Sequence, residues 1–324
     1  MLDACPKRMV YGPCGGAHPD GTCEVVAAPC TFPAPTPLPA GAERDSVPLH
    51  SVPLVLTDFS TPPFDQAAVR RTAAILAPSC DAVLVGEHQD RPDFPPTLFA
   101  QLLRDAGLRP WITLACRDRN RVGLEQELRG LRQVGAAAVL CVTGDARAYD
   151  VRPDVTQVFD LDGPRLAMLA ADEGLPVAVP ETITAAPVTA RPRRLVDKQR
   201  CGASVAVLNH VADPAEVAAF VAAARDLGLT IPVIAAVAVY TDAESAASLS
   251  GLPGLALDET SVRSVLGAGD PRSAGIDVAL TEARRLLAIE GVVGVNVSGQ
   301  ASARGWEHAA RVKAELGERI RGAA

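Results

Sequence analysis

The sequence predicts an α/β protein: a (β/α)8 barrel of the TIM type, preceded by a small cysteine-rich, metal-stapled module. Three observations predict it. From residue 53 onward, eight short β-branched or apolar runs alternate with longer amphipathic stretches, the pattern of buried parallel strands and the helices that cover them. Several of those stretches begin at Asp or Pro and end at Gly, where helix caps are expected. Finally, Cys5, Cys14, Cys23 and Cys30 crowd into 26 residues of Gly- and Pro-rich sequence that cannot form a core of its own.

In chain order, residues 1–32 read as the cysteine module and residues 33–52 (PAPTPLPAGAERDSVPLHSV) as a Pro-rich connector, leaving residues 53–324 for the barrel. The first strand-like run is PLVLTD (53–58), followed by the helix-like DQAAVRRTAAIL. AVLVG (82–86) precedes PPTLFAQLLRDAG, and WITLAC (111–116) precedes VGLEQELRGLRQVG. AAVLCVTG (137–144) is followed by DGPRLAMLAADEG, then by the strands PVAVPE (176–181) and VAVLNH (205–210). DPAEVAAFVAAARDLG leads to IPVIAAVAV (231–239), and GIDVALTEARRLLAIEG leads to GVVGVNVSG (291–299). Eight such units over about 270 residues match a (β/α)8 barrel. A doubly wound open sheet shares the alternation, and periodicity alone does not separate the two.

Composition narrows the function. The net charge is −7 with no basic stripe, which argues against nucleic acid or an anionic membrane surface as partner. No apolar run reaches the ~18 residues needed to span a bilayer, and MLDACPKRMV lacks the apolar stretch of a secretory signal. A cytoplasmic location is expected, where stable disulfides are uncommon. Cys80, Cys116, Cys141 and Cys201 lie in apolar segments and read as core residues.

Active sites in barrels of this type lie at the C-terminal ends of the strands. The polar residues there are Asp58, Glu87, His88, Arg117, Asp118, Asn120, Thr143, Asp145, Glu181, Asn209, His210, Tyr240, Ser298 and Gln300. Nearly every strand ends in one, which a purely architectural barrel does not need.

Five segments occur in one order: TDFSTPPFD after the first strand, CRDRN after the third, TGD after the fourth, VFDLDGPRLAML (158–169) and DKQRCGASVAVLNHVADPAEV (197–217). Together they resemble the methylenetetrahydrofolate reductase family over residues 53 to about 300. CPKRMVYGPCGG, GTCEV and a fourth cysteine resemble that family's cysteine-rich C-terminal domain, here placed first. The resemblance implies reduction of 5,10-methylenetetrahydrofolate to 5-methyltetrahydrofolate by hydride transfer from NAD(P)H, with FAD as a possible carrier. It assigns Asp58, shorter by one methylene than the family's glutamate, as the acid that opens the methylene bridge. It assigns Asp145 as the carboxylate that stabilises the cationic intermediate. Asn209 stands where the family binds folate through a glutamine. Glu87, His88 and Gln300 are further expected substrate contacts; Arg117, Thr143 and Lys198 are expected cofactor contacts, Lys198 at the flavin phosphates. Gly86, Thr143 and Arg191 depart from the family's flavin-binding pattern, so a folate-binding one-carbon transfer homologue without flavin or reductase activity is the alternative. A homo-oligomer or a methyl-transfer partner protein is compatible with either.

The early cysteines are spaced C-x8-C-x8-C-x6-C. Four thiolates on zinc would supply folding energy that such a segment lacks. An Fe–S cluster is the other four-cysteine option, and His18 is a possible replacement ligand.

Overall fold

The computed structural model describes residues 5–146, 152, 154–252, 255, 257–299 and 302–322. Eight strands close into a barrel in sequence order, every neighbouring pair parallel. They are β1 (Val55–Phe59), β2 (Ala82–Val85), β3 (Pro110–Ala115), β4 (Ala138–Val142), β5 (Val177–Glu181), β6 (Val205–Leu208), β7 (Val233–Ala238) and β8 (Val292–Ser298). The closed order excludes the open doubly wound sheet.

The helices between strands are α1 (Gln66–Leu76), α2 (Pro96–Asp105), α3 (Arg121–Gln133), α4 (Gly163–Asp172), α5 (Arg191–Arg200) and α6 (Pro214–Asp226). Three helices separate β7 from β8: α7 (Ala243–Ser250), α8 (Glu259–Leu266) and α9 (Pro271–Leu287). The last helix, α10 (Trp306–Arg321), packs on α1 and α9. Aspartates expected as caps do cap: Asp65 accepts the Ala68 N–H at 2.8 Å, Asp162 that of Arg165 at 3.1 Å, and Asp213 that of Ala215 at 2.9 Å. Asn120 caps α3 in the same way through the Gly123 N–H at 3.0 Å.

The period-two alternation of each strand divides its side chains between two cores. One face fills the barrel interior with Leu56, Leu84, Trp111, Leu140, Val207 and Ile234. The other packs Val83, Ile112, Val139 and Val177 under the helices. Cys80, Cys116, Cys141 and Cys201 are buried free thiols, as expected of core residues. The connector follows the barrel wall to its floor: Arg44 pairs with Asp172, Ser204 Oγ donates to the Val47 carbonyl at 2.5 Å, and Leu49 packs on the interior cluster. Only glycine fits at 294, where a Cβ would lie 2.1 Å from the Pro53 carbonyl oxygen; this lets the chain entering β1 lie against β8.

The cysteine segment sits on the C-terminal ends of β4 and β5. Val10 N–H donates to Asp162 Oδ2 at 2.9 Å, Arg165 to the Arg8 carbonyl at 3.0 Å, Arg194 to the Tyr11 carbonyl at 2.9 Å and Arg191 to the Cys14 carbonyl at 2.8 Å. Three of these four bonds run from barrel arginines to module backbone. A segment without a core of its own is thus held by charge-assisted hydrogen bonds.

Candidate functional site

A cavity of about 350 Å3 opens at the mouth, and Asp58, Glu87, Arg117, Thr143, Asp145, Lys198 and Asn209 all line it. Residues up to 151 apart in sequence therefore share one hollow, within the size range of small-molecule sites.

Asp58 follows Leu56 on the inward face of β1, one layer above the interior core. The β1–β8 register, Leu56 opposite Asn296, sets Asn296 beside it. Asn296 Nδ2 donates to Asp58 Oδ1 at 2.9 Å and to Ser298 Oγ at 3.2 Å. Behind the strand, buried Lys313 of α10 donates to the Asp58 carbonyl at 2.5 Å. Burial pushes the Asp58 carboxyl above the usual range, opposed by the Lys313 charge and by hydrogen bonds from Asn296 and Ser298. Burial likewise lowers Lys313 to about 8. Asp58 caps no helix; Asp65 does that for α1.

Asp145 sits one residue beyond Gly144, whose φ of +92° turns the chain sharply after β4. A Cβ at Gly144 would stand 3.2 Å from Arg117 Cβ. Burial raises the Asp145 carboxyl too, with Lys7 the strongest opposing charge, Glu24 adding to the rise and Arg117 lowering it. Gln89 Nε2 lies 3.4 Å from Asp145 Oδ2. Across the mouth, Asn209 is held by its Nδ2 donating to Thr182 Oγ1 at 2.9 Å.

The expected cofactor residues are committed to protein partners. Arg117, 2% exposed, bonds Asp118 at 3.0 Å, the His88 carbonyl at 2.9 Å and the Asp145 carbonyl at 3.4 Å. Thr143 Oγ1 accepts the Gly163 N–H at 2.9 Å. Lys198 donates to Glu181 Oε2 at 2.7 Å and to the Pro180 carbonyl; Arg191 reaches Glu181 Oε1 at 3.4 Å. Burial lowers Lys198, and the Glu181 charge opposes that.

Other expected residues divide. Glu87 lines the mouth but is held by Arg119 at 2.6 Å and by the Ala115 N–H at 3.1 Å; burial raises its carboxyl against the Arg119 charge. His88 lines a neighbouring hollow 3.6 Å from Asp93, its imidazole lowered by burial and next by Arg91. His210 reaches Glu282 of α9 at 2.7 Å. Gln300 lies outside the described residues.

Cys5, Cys14, Cys23 and Cys30 line one hollow of about 80 Å3, while His18 is exposed and does not. The Val25 N–H points to Cys23 Sγ at 3.4 Å and the Phe32 N–H to Cys30 Sγ at 3.5 Å; the Gly16 N–H bonds Cys14. Three of the four cysteines thus accept from the N–H two residues on, a turn that presents sulfur as an acceptor. Among the described residues no three His, Cys, Asp or Glu side chains are arranged to hold a metal ion as they stand.

Sequence reasoning missed Lys7, Glu24, Asn296 and Lys313. Asn296 was legible two residues before Ser298, on the same inward face. Lys313 stands between Val312 and Ala314 on the buried side of α10.

Residues 1–35 match the protein family described as methylene-tetrahydrofolate reductase C terminal. No curated protein matches the sequence. The barrel resembles the solved structure of an uncharacterized protein from Clostridium thermocellum that binds two copies of 5-methyl-5,6,7,8-tetrahydrofolic acid. That similarity has a TM-score of 0.60 at 13% identity and covers 87% of this chain and 97% of that one. An oxaloacetate acetylhydrolase in complex with oxalate aligns at a TM-score of 0.45 and 10% identity, over 76% of this chain and 75% of that one.

Proposed function

We propose that the chain binds a reduced folate in the barrel mouth and reduces 5,10-methylenetetrahydrofolate to 5-methyltetrahydrofolate with a hydride from NAD(P)H. The observation that carries this reading is the convergence of Asp58, Asp145 and Asn209 on one cavity, Asp58 being held toward its protonated form by burial. Two comparisons support it: the family matched by residues 1–35, and a barrel of the same fold that binds 5-methyltetrahydrofolate.

Asp58 gives its proton to the bridge nitrogen as the carbon–nitrogen bond breaks, leaving an iminium cation. Hydride adds to that carbon to make the methyl group, and the nicotinamide leaves oxidised. The Asp58 carboxylate regains a proton from water. Asp145, fixed beside the cavity, stabilises the cation electrostatically. Asn209 offers an amide to the pterin edge.

The residues assigned to flavin do not fit it. Arg117, Thr143 and Lys198 spend their donors or acceptor inside the protein, and Gly86 carries no side chain. The same observation favours a second reading: a folate-binding one-carbon transfer homologue without reductase activity. Methylenetetrahydrofolate-dependent loss of NAD(P)H absorbance is expected from a colourless purified protein. Tetrahydrofolate binding with no such turnover selects the second reading; absence of both rejects folate altogether.

For the module we infer that the four thiolates close on zinc, an Fe–S cluster being the alternative. Their shared hollow and the N–H groups directed at Cys14, Cys23 and Cys30 support this. Four protein ligands leave no open position, so the metal is structural. Elemental analysis is expected to find about one zinc per chain, and chelation is expected to lower the unfolding temperature. Iron with visible absorbance selects the cluster, and a metal-free stable chain rejects both.

A further inference from the structure

The module does more than sit on the barrel. Lys7, Met9 and Cys14 line both the cysteine hollow and the main cavity. Lys7 is 3% exposed. Its Nζ donates to Glu24 Oε1 at 2.5 Å and to the Gly144 carbonyl at 2.7 Å, and lies 5.8 Å from the Phe159 ring centroid. Glu24 Oε2 accepts the Ala146 N–H at 3.4 Å. The two members of one buried ion pair thus grip the turn on either side of Asp145. Glu24 Oε1 also lies 3.3 Å from Cys14 Sγ, which brings that grip up to the cysteines. Gly16 makes room for it, since a Cβ there would stand 1.9 Å from Glu24 Oε1.

We propose that the cysteine module is a wall of the ligand site and that Lys7 is its positioning residue, holding the Gly144–Asp145 turn so that the Asp145 carboxylate faces the bound ligand. This rests on the reading that Asp145 contacts a reduced folate. At 2.7 Å the buried charged Lys7 bond is shorter than the 3.4 Å contact from Arg117 to the same turn, so it does most to fix one arrangement, and a ligand bonded to that carboxylate gains from having it already placed.

The test is a double-mutant cycle read by calorimetric binding of tetrahydrofolate to the full chain. Lys7→Met and Asp145→Asn are each expected to weaken binding by about 10- to 100-fold. Because Lys7 acts through Asp145, the double variant is expected to bind no more than a few-fold worse than Asp145→Asn alone. Lys7→Gln, which keeps a donor near Gly144, is carried through the same cycle in case Lys7→Met does not fold, and is expected to lose less. If both Lys7 variants, folded by circular dichroism, bind as the unmodified chain does, the proposal is overturned. Losses that multiply fully with Asp145→Asn overturn it too, since they assign Lys7 to general stability. If the unmodified chain fails to bind tetrahydrofolate, the folate reading itself is overturned, a result distinct from either.

Discussion

Asp58→Asn is expected to lower methylenetetrahydrofolate turnover by about 10²- to 10⁴-fold while changing tetrahydrofolate affinity only a few-fold. The amide keeps the size of the carboxyl and can still present an oxygen to Asn296 Nδ2, now 2.9 Å from Asp58 Oδ1. It has no carboxylic proton to give, so the loss falls on ring opening and not on binding. The pH dependence follows from the direction of the shift. Asp58 is raised by burial, so it keeps its proton to higher pH than an exposed aspartate, whose ordinary value is about 3.9. Turnover is therefore expected to fall as pH rises through the raised value, and that limb is expected to vanish in Asp58→Asn. Initial rates across pH for both proteins check this. Full turnover in the variant removes Asp58 from the chemistry.

The largest stability effect is expected at Glu181. Its side chain is fully buried and accepts from Lys198 and Arg191, neither of which is well exposed. Glu181→Ala leaves two cations facing a void with no counter-charge. Breaking a buried pair from one side costs about 3–5 kcal/mol, because desolvation of the remaining charge is no longer offset. Urea unfolding is expected to show a loss of that order. By contrast, Glu259→Ala breaks the exposed i,i+4 pair with Arg263 and is expected to change stability by less than about 1 kcal/mol. A Glu181→Ala loss no greater than that of Glu259→Ala would mean that the buried network is not holding the β5 end of the mouth.

These two residues also mark what the sequence revealed and what it hid. Asp58 was legible because a strand alternates: once Leu56 is inward, so is Asp58. All eight strands were legible for a related reason, since parallel strands covered on both faces read as continuous apolar runs. Helix α5 was harder. Its sequence RPRRLVDKQR reads as polar, yet Arg191, Arg194 and Asp197 are buried in it. Arg191 and Arg194 reach the Cys14 and Tyr11 carbonyls, distant in the chain, and Asp197 pairs with Arg193 and Arg200 of its own helix; hydrophobic periodicity registers neither kind of partner. Arg117 and Lys198 show the same gap from the other side. Arg117 was visible as a cation at a strand end and Lys198 as one in the last turn of a helix, but whether a cation faces a ligand or a protein acceptor depends on partners brought in by folding. The grip of Lys7 on Gly144 spans 137 residues, and no local pattern encodes it.

In the proposed reading the barrel mouth is a reduced-folate site built from Asp58, Asp145 and Asn209. Calorimetric titration of 5-methyltetrahydrofolate into the unmodified chain and into Asn209→Ala tests it most directly. Saturable binding, weakened about tenfold or more by loss of the Asn209 amide, is the predicted result. No binding, or binding indifferent to Asn209, would mean that these residues do not form a folate site.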